Sequence, residues 1–406
     1  MEQGHKLRKY AGLFILAWGG SFIFQAPMLR YVLYEPLREA LQLSNAQFGD
    51  LQAWYGYSST LLFLPGGWLA DRVSPRKLLT FSFVIGGLTA FYFAAFPGYL
   101  ELAVIHAAWG GIISLTFWAA MIRACKDMAA SSEQGRFFGL MEGGRGLVNL
   151  FGTIASLLCF GLLTDQLLGL KAAIWVKGAG CFIAAALTWL YFEDPVELAP
   201  GASLFADILA TLRLPLVWAM ALIIFCAFSA FTIGSYMNPY LTNVSGFSAT
   251  AAGILSTVWL YAGQLAASPV SGIVADRIGR LKAICIYFVL LSILWAIIIF
   301  TPGTEAAAVF AATTFILFYL VINAIRAIYF AIIEDLHIPA QVAGGAVGLA
   351  SLIGFTPEIF TFKIAGPLLD KYPGAVGYKY LFSCGAVTAL IGLALCLGVL
   401  AYLKKR

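Results

Sequence analysis

Twelve apolar stretches, each long enough to cross a lipid bilayer as a helix, follow one another along this chain of 406 residues. A helix needs about 20 predominantly apolar residues to span a bilayer. Only 11% of the residues are charged, whereas a water-soluble domain carries roughly 25%. Lipid is therefore the expected solvent for most of the surface. The predicted spans, with ends accurate to about four residues, are 11–34, 46–70, 77–96, 100–123, 136–163, 170–192, 215–241, 249–273, 282–301, 304–333, 341–367 and 377–403.

The longest polar connection, between residues 192 and 215, separates six spans from the six that follow. Several spans are rich in Gly, Ala and Ser, which allow membrane helices to approach one another closely. We therefore predict an all-α membrane protein with twelve transmembrane helices in two six-helix bundles. The predicted parts are an N-terminal bundle at 1–192, a cytoplasmic linker at 193–214 and a C-terminal bundle at 215–406.

The basic residues predict the orientation in the membrane, because Lys and Arg collect on cytoplasmic segments. With the N-terminus inside, sixteen basic residues fall on cytoplasmic segments and four on outer segments. Both termini are therefore expected in the cytoplasm, in a cell membrane that is either a plasma or an inner membrane. The first apolar run has no small-residue cleavage site, so we expect it to be retained as a span rather than removed as a signal peptide.

A short charged hairpin occurs at the same place in each half of the chain. The first, GGWLADRVSPRKLL at 66–79, lies between spans two and three, and the second, SGIVADRIGRLKAI at 271–284, lies between spans eight and nine. Corresponding residues of the two hairpins stand 205 positions apart. An internal repeat at half the chain length indicates two structurally similar bundles.

These hairpins resemble the loop motif of the major facilitator superfamily, Gly-x-x-x-Asp-Arg/Lys-x-Gly-x-Arg/Lys-Arg/Lys. The first hairpin departs from it at Ser74, where the family has its second Gly, and the second departs at Leu281, where a basic residue is expected. The resemblance covers essentially the whole chain and implies two six-helix bundles around a central cavity, worked by alternating access. The matching residues are Gly67, Asp71, Arg72, Arg76 and Lys77 in the first hairpin, and Gly272, Asp276, Arg277, Gly279 and Lys282 in the second.

We expect the first hairpin to form a latch that exists only when the cytoplasmic side is closed. Gly67 would allow helix two to pack closely against the other half. Asp71 would face the positive N-terminus of span eleven, and Arg76 would pair with Asp127 just past span four. The alternative is that these are ordinary cytoplasmic charges, which explains the basic residues but not an acid repeated in both loops.

Span five carries the most prominent intramembrane charges, Glu142 and Arg145. At 1.5 Å per residue from Gly135, they lie about 10 and 15 Å into the span, close to the membrane midplane. Their i, i+3 spacing allows contact. Ionisable residues within a membrane are costly and are candidates for function, so we expect roles in substrate binding or coupling. The alternative is a structural ion pair that orients helices.

Weaker candidates lie in other spans. Arg30, toward the outer end of span one, either lines an outer vestibule or extends to the interface. Glu358 follows a proline, where a kink could turn its carboxylate inward, although it could instead pair with Lys363. Arg326 echoes Arg123 at the end of span four, and we expect it either to act at the cytoplasmic gate or to extend to the interface rather than to bind substrate directly. Other polar residues that could line the cavity are Tyr57, Asn149, Gln264 and Asn323.

These features favour a secondary transporter that moves a small polar solute, with organic anions as one candidate class, driven by protons or by exchange. The chain has no Gly-rich phosphate loop followed by Lys-Ser or Lys-Thr, so ATP is not the expected energy source. We expect no cofactor, no metal, no nucleic acid and no enzymatic activity, and a monomer surrounded by membrane lipid. The alternatives are an exporter of amphipathic or drug-like compounds and a non-transporting membrane sensor with the same fold.

The charge asymmetry yields a direct test of topology. Single Cys residues placed at Ser74, Ala202 and Gly279 in a Cys-free background are expected to be labelled only from the cytoplasmic side. The measurement is reaction with a membrane-impermeant thiol reagent added to intact cells and to inverted vesicles. Labelling of any of the three from outside intact cells would contradict the orientation.

Overall fold

The computed structural model describes residues 2–128, 134–192, 211–338 and 343–405, and every regular element in these ranges is helical. A continuous helix satisfies its own backbone hydrogen bonds, which lipid cannot do. The long helices are α1 (Glu2–Gln25), α2 (Asn45–Arg72), α3 (Pro75–Phe93), α4 (Tyr99–Met128), α5 (Gln134–Leu162), α6 (Gln166–Tyr191), α7 (Pro215–Gly234), α8 (Ala249–Ile278), α9 (Arg280–Phe300), α10 (Ala308–Ile328), α11 (Ala343–Gly354), α12 (Pro357–Lys371) and α13 (Ala375–Lys404). Shorter helices cover Tyr34–Ala40, Met237–Asn243 and Ile332–Asp335.

Nine helices in the described ranges are long and apolar enough to cross a membrane. They coincide with predicted spans four to twelve. Helices α1, α2 and α3 lie over predicted spans one to three but are not among the nine. The all-α membrane fold is thus confirmed, and the count of twelve spans stays a prediction. The nine are Tyr99–Met128, Phe137–Leu162, Gln166–Tyr191, Pro215–Asn243, Ala249–Ile278, Arg280–Phe300, Glu305–Ile328, Gly345–Lys371 and Ala375–Lys404.

Local sequence sets where several helices begin. The Asp165 carboxylate accepts from the backbone N–H groups of residues 167 and 168 at 2.9 and 3.2 Å, and so caps α6. Ser248 caps α8 by accepting from the N–H of residue 251 at 3.2 Å. Ser74 caps α3, whose first residue is Pro75. Gly279 precedes α9 with φ +92°, a conformation that favours glycine.

The chain falls into two compact units, residues 1–42 with 54–202, and residues 43–53 with 203–406. In the first unit, α1 packs against α5 and α6, and α3 packs chiefly against α6. Small residues set these contacts. A Cβ at Gly180 of α6 would clash with the Phe22 ring of α1, and the Trp18 indole donates to the Gly180 carbonyl at 3.0 Å. The first unit is therefore built around α1.

In the second unit, α9 and α7 pack against α13, α8 packs against α10, and α7 also contacts α11. Bulky aromatic residues fill the spaces between these helices. The Trp295 ring stacks on Phe382 at 5.3 Å between centroids and lies 4.6 Å from Phe318. A Cβ at Gly385 would approach the Trp295 ring to 2.6 Å, so this glycine makes room for the indole.

The segment 43–53 belongs to the second unit, although the sequence places it in the first half of the chain. Its helix, the start of α2, lies directly on α12. Asp370 accepts from the backbone N–H groups of Asn45 and Ala46 at 3.0 and 2.8 Å, and caps α2. A Cβ at Gly49 would clash with the Phe362 carbonyl, and one at Gly366 with the Asn45 carbonyl.

Because backbone occupies the space beside Gly366, Gly366→Ala is expected to destabilise the protein by about 1–3 kcal/mol, the usual cost of overpacking. The measurement is thermal unfolding of the detergent-purified protein. Gly398→Ala, in α13, is the matched control, because nothing lies within 4 Å of a Cβ there. Equal unfolding temperatures for the two variants would contradict the close approach of α2 and α12.

Candidate functional site

Glu142 and Arg145 meet on one face of α5 in the first unit. Arg145 Nη1 donates to Glu142 Oε1 at 2.7 Å, as the i, i+3 spacing predicts. The Arg145 side chain is 12% exposed and the Glu142 side chain is 43% exposed. The pair therefore presents an accessible carboxylate beside a largely buried guanidinium.

Helix α1 holds the Arg145 side chain in place. Arg145 Nε donates to the Gly20 carbonyl at 3.2 Å, and the Ser21 hydroxyl donates to the Arg145 carbonyl at 2.9 Å. The guanidinium carbon lies 5.5 Å from the ring centroids of both Phe24 and Trp118. Among the described residues, Nη2 has no hydrogen-bond partner. The arrangement fixes a planar cation and leaves one of its nitrogens available for a ligand.

Gly20 makes this placement possible. A Cβ there would approach Arg145 Nε and Met121 Sδ to 3.1 Å each. The contact residues of α1, which are Ala17, Gly20, Ser21, Phe24 and Gln25, recur every three or four positions, as one face of a helix does. The sequence alone did not identify this face.

Polar contacts continue from Arg145 into the core of the first unit. Gln25 Nε2 donates to Asn149 Oδ1 at 3.4 Å, and Lys177 Nζ donates to Gln25 Oε1, also at 3.4 Å. Lys177 is 1% exposed and sits at the middle of α6. The sequence analysis missed Lys177, although a lysine within the apolar run AAIWVKGAGCF was a sufficient signal.

The remaining candidates of the first unit lie apart from the Glu142–Arg145 pair. Arg30 is buried in a short 3₁₀ turn after α1, with its guanidinium carbon 5.3 Å from the Tyr34 ring centroid. Tyr57 is exposed and makes an edge contact with Trp54. Because Arg30 is buried, its side chain does not extend to the membrane interface in this structure.

In the second unit, Glu358 is buried and accepts from Gln52 Nε2 at 2.8 Å. Lys363, considered above as a partner of Glu358, forms a salt bridge with Asp50 at 2.8 Å. These two contacts join α12 to the start of α2 within the same unit. Glu358 is thus held by an amide, and Lys363 is charge-balanced by Asp50.

Three further candidates lie along α8 and α10. Asn323 Nδ2 donates to the Leu260 carbonyl at 3.5 Å and Arg326 Nη1 donates to Asn323 Oδ1 at 3.5 Å. The Arg326 guanidinium carbon lies 4.1 Å from the Phe231 ring centroid, and its Nε is buried without a hydrogen-bond partner in the described part of the chain. Gln264 is half-buried.

Among the described residues Arg76 and Asp127 contact other partners, and their expected pairing on closure of the cytoplasmic side stays a prediction. Arg76 Nη2 donates to the Trp189 carbonyl at 2.6 Å, and its guanidinium lies over the Trp189 ring at 4.4 Å, because α3 begins beside the end of α6. Asp127 instead pairs with Arg123, one turn earlier on α4, at 3.5 Å. Arg123 also donates to the Ala70 carbonyl at 2.6 Å, which ties α4 to α2.

Among the described residues, a Cβ at Gly67 would have nothing within 4 Å, whereas one at Gly66 would clash with the Ser114 carbonyl of α4. Gly272, in the second hairpin, likewise has open space beside it. Within the first unit, α2 therefore approaches α4 closely at Gly66. The packing of Gly67 against the other half stays a prediction.

Other motif residues are exposed or lie outside the described part. Arg72 stacks on Trp68 of its own helix, with the guanidinium carbon 4.4 Å from the ring centroid. Lys77, Asp276 and Arg277 are exposed. The Asp71 side chain and the start of α11 lie outside the described side chains. The latch between them stays a prediction.

In the second hairpin, the basic residue at the start of α9 pairs with two acidic residues that follow α10. Arg280 contacts Glu334 at 2.7 Å and Asp335 at 3.3 Å. Asp335 also accepts from the backbone N–H of Leu281 at 2.9 Å, so it caps α9. Arg280 is not one of the matched motif residues, so this contact is separate from the pairing expected of Arg76.

A family model described as Major Facilitator Superfamily matches residues 11–357. Two inner membrane proteins of Escherichia coli (strain K12), YihN and YqcE, are each 26% identical to this chain, over 98% and 100% of it and 97% of each relative. A mutant of the nucleoside transporter NupG matches with a TM-score of 0.77 at 14% identity, covering 97% of this chain and 99% of its own. A bacterial homolog of the human lysosomal transporter Spinster, inward-facing and unoccupied, matches with a TM-score of 0.75 at 16% identity, covering 99% and 98%.

Capping and ion pairing by Asp335 predict that Asp335→Ala lowers stability by about 1 kcal/mol, the usual cost of losing an N-cap. The readout is the unfolding temperature of the purified protein. Asp276→Ala, at an exposed acid of the same hairpin, is the control and is expected to change it little. A larger loss for the Asp276 variant would contradict the cap assignment.

Proposed function

The chain belongs to the major facilitator superfamily and is a secondary transporter, and from that premise we propose that it carries a small polar organic anion by alternating access. The observation that supports this proposal is the Arg145 guanidinium, fixed by the Gly20 carbonyl and Glu142 between two aromatic rings. A planar, preoriented cation suits the two oxygens of a carboxylate, phosphate or sulfonate group.

The charge balance inside the first unit favours an anion. Along the central turns of α5 and α6, the described residues include two cationic side chains, Arg145 and Lys177, and one carboxylate, Glu142. Excess positive charge in a medium of low dielectric constant attracts a negative solute more strongly than it does in water. A neutral or cationic substrate would leave this excess uncompensated.

We assign coupling to Glu142. A substrate anion that binds Arg145 competes with the Glu142 carboxylate for the same guanidinium. Once the anion displaces Glu142 from Arg145, the half-exposed Glu142 carboxylate can take a proton. This would link the movement of the anion to the movement of a proton. Under obligate exchange, a second anion would bind Arg145 after the first has left. In the interval, Glu142 would form its ion pair with Arg145 again.

The aromatic rings beside Arg145 also suit an amphipathic solute, the basis of the alternative exporter function. A non-transporting sensor would bind a ligand at the same place without moving it. We place the protein in an inner or plasma membrane, since its two Escherichia coli relatives are inner membrane proteins. We further propose that both termini face the cytoplasm, as the distribution of basic residues predicts. We also propose that it works as a monomer.

The first experiment is a thermal-shift screen of the purified protein against carboxylates, phosphate monoesters and sulfonates, each paired with its neutral analogue. A ligand that binds only the folded state raises the unfolding temperature. We expect stabilisation by anions and not by their neutral partners. Stabilisation by neutral or amphipathic compounds alone would favour the exporter instead.

Arg145→Gln is expected to weaken binding of the stabilising anion about 10- to 100-fold, because charge-assisted hydrogen bonds are lost. Arg145→Lys should be nearly as weak, since an ammonium lacks the planar fork. Glu142→Gln should retain exchange in proteoliposomes but lose gradient-driven accumulation. Arg213→Gln, at an exposed arginine outside both hairpins, is the control and should behave as wild type.

The double variant Glu142→Gln with Arg145→Gln separates function from structure. A structural ion pair predicts that single variants misfold, because one charge is left unpaired, and that the double variant regains both folding and transport. Our assignment predicts a folded double variant that does not transport. A transport-competent double variant would contradict it.

A further inference from the structure

Lys177 is a basic side chain that the proposed mechanism does not use. It lies at the middle of α6, a helix that can cross the membrane, and only 1% of it is exposed. No carboxylate among the described residues lies within 4 Å of its Nζ. A lysine buried without a counter-ion is costly to charge, so its retention requires a reason, and a bound anion would supply the missing negative charge.

Lys177 is joined to Asn149 by a chain of side-chain hydrogen bonds through Gln25. Its ammonium donates to Gln25 Oε1, and Gln25, itself 2% exposed, donates to Asn149 Oδ1. Gly152 makes room for this arrangement, because a Cβ there would approach Gln25 Nε2 to 2.8 Å. Two amides and a glycine on α1 and α5 thus orient the Lys177 amino group toward α5.

This chain of hydrogen bonds ends at Asn149, one helical turn from Arg145, the proposed anion-binding residue. Asn149 follows Arg145 by four residues and lies on the same face of α5, with Cβ atoms roughly 6 Å apart. The two hydrogen bonds through Gln25 then place the ammonium roughly 10 Å from the guanidinium. Lys177 does not contact the anion, but its positive charge acts on anything bound at Arg145.

We propose that Lys177 is a specificity-determining residue that makes the Arg145 site select dianions over monoanions. This inference rests on the proposed anion site at Arg145. Glu142 neutralises Arg145 in the empty site, so Lys177 supplies the net positive charge that a second negative charge on the substrate requires. The substrate class is then a dianionic tetrahedral oxyanion ester or an equivalent dicarboxylate.

Coulomb's law gives the size of the effect. At roughly 10 Å and an effective dielectric constant of about 20, a unit charge contributes about a tenfold change in affinity for each charge on the ligand. Removing the Lys177 charge should therefore weaken a monoanion about tenfold and a dianion about a hundredfold. A residue that merely holds helices together would weaken both equally.

The experiment measures binding of sulfate and methyl sulfate, a dianion and a monoanion with the same oxyanion head, at constant ionic strength and pH 6.0. Affinities are obtained from the concentration dependence of the unfolding temperature of the full-length protein in detergent. Lys177→Met keeps the length of the side chain and removes its charge. Lys171→Met, near the start of the same helix, is the matched control.

In wild type and in Lys171→Met, sulfate is expected to bind at least tenfold more tightly than methyl sulfate. In Lys177→Met this preference should fall about tenfold, and Lys177→Arg should preserve most of it. If a folded Lys177→Met protein keeps the full preference for sulfate over methyl sulfate, the role of Lys177 is overturned and the anion site at Arg145 is not. If neither anion stabilises the wild type, the proposed anion site itself fails.

Folding of the variant is checked separately. Replacing a buried charge by an apolar side chain of similar volume is usually neutral or stabilising, so Lys177→Met is expected to fold. Lys177→Gln is the second variant and keeps a donor for Gln25. Misfolding of both would show that Lys177 is structural and would overturn the proposal.

Discussion

The hydrogen-bonded ion pair between Glu142 and Arg145 is the interaction on which the proposed transport mechanism depends. Lipid makes an isolated charge expensive, so a charged pair in mid-helix must be compensated by its surroundings. Helix α1 supplies that compensation with the Gly20 carbonyl and the Phe24 ring. The contacts that stabilise the buried Arg145 charge also fix its orientation. A preoriented guanidinium loses less conformational entropy when it binds an anion.

Close helix approach is the second physical requirement. In a membrane the hydrophobic effect does not drive helices together, so packing and hydrogen bonds at small residues must do so. Gly180 admits the Phe22 ring, Gly152 admits the Gln25 amide, and Gly366 admits the backbone of α2. Polar side chains can therefore reach one another across helices. Without Gly152, the Gln25 amide that accepts from Lys177 would have to shift.

Much of the fold follows from the sequence, because long apolar runs in lipid can form only helices. The contact between Glu142 and Arg145 follows from their spacing along one helix. The facing of helices does not follow, since lipid-facing and core-facing surfaces are both apolar and no amphipathic pattern separates them. For that reason the contact of Arg76 with the end of α6 was not predicted, and Lys177 went unnoticed. Contacts between helices required the structure.

The most direct test of the central claim is a structure determined with tungstate, a heavy tetrahedral dianion whose position anomalous scattering reveals. The account predicts a peak within hydrogen-bond distance of the Arg145 guanidinium, with the Glu142 carboxylate displaced from Nη1. A peak elsewhere in the protein, with the 2.7 Å contact between Glu142 and Arg145 unchanged, would contradict it.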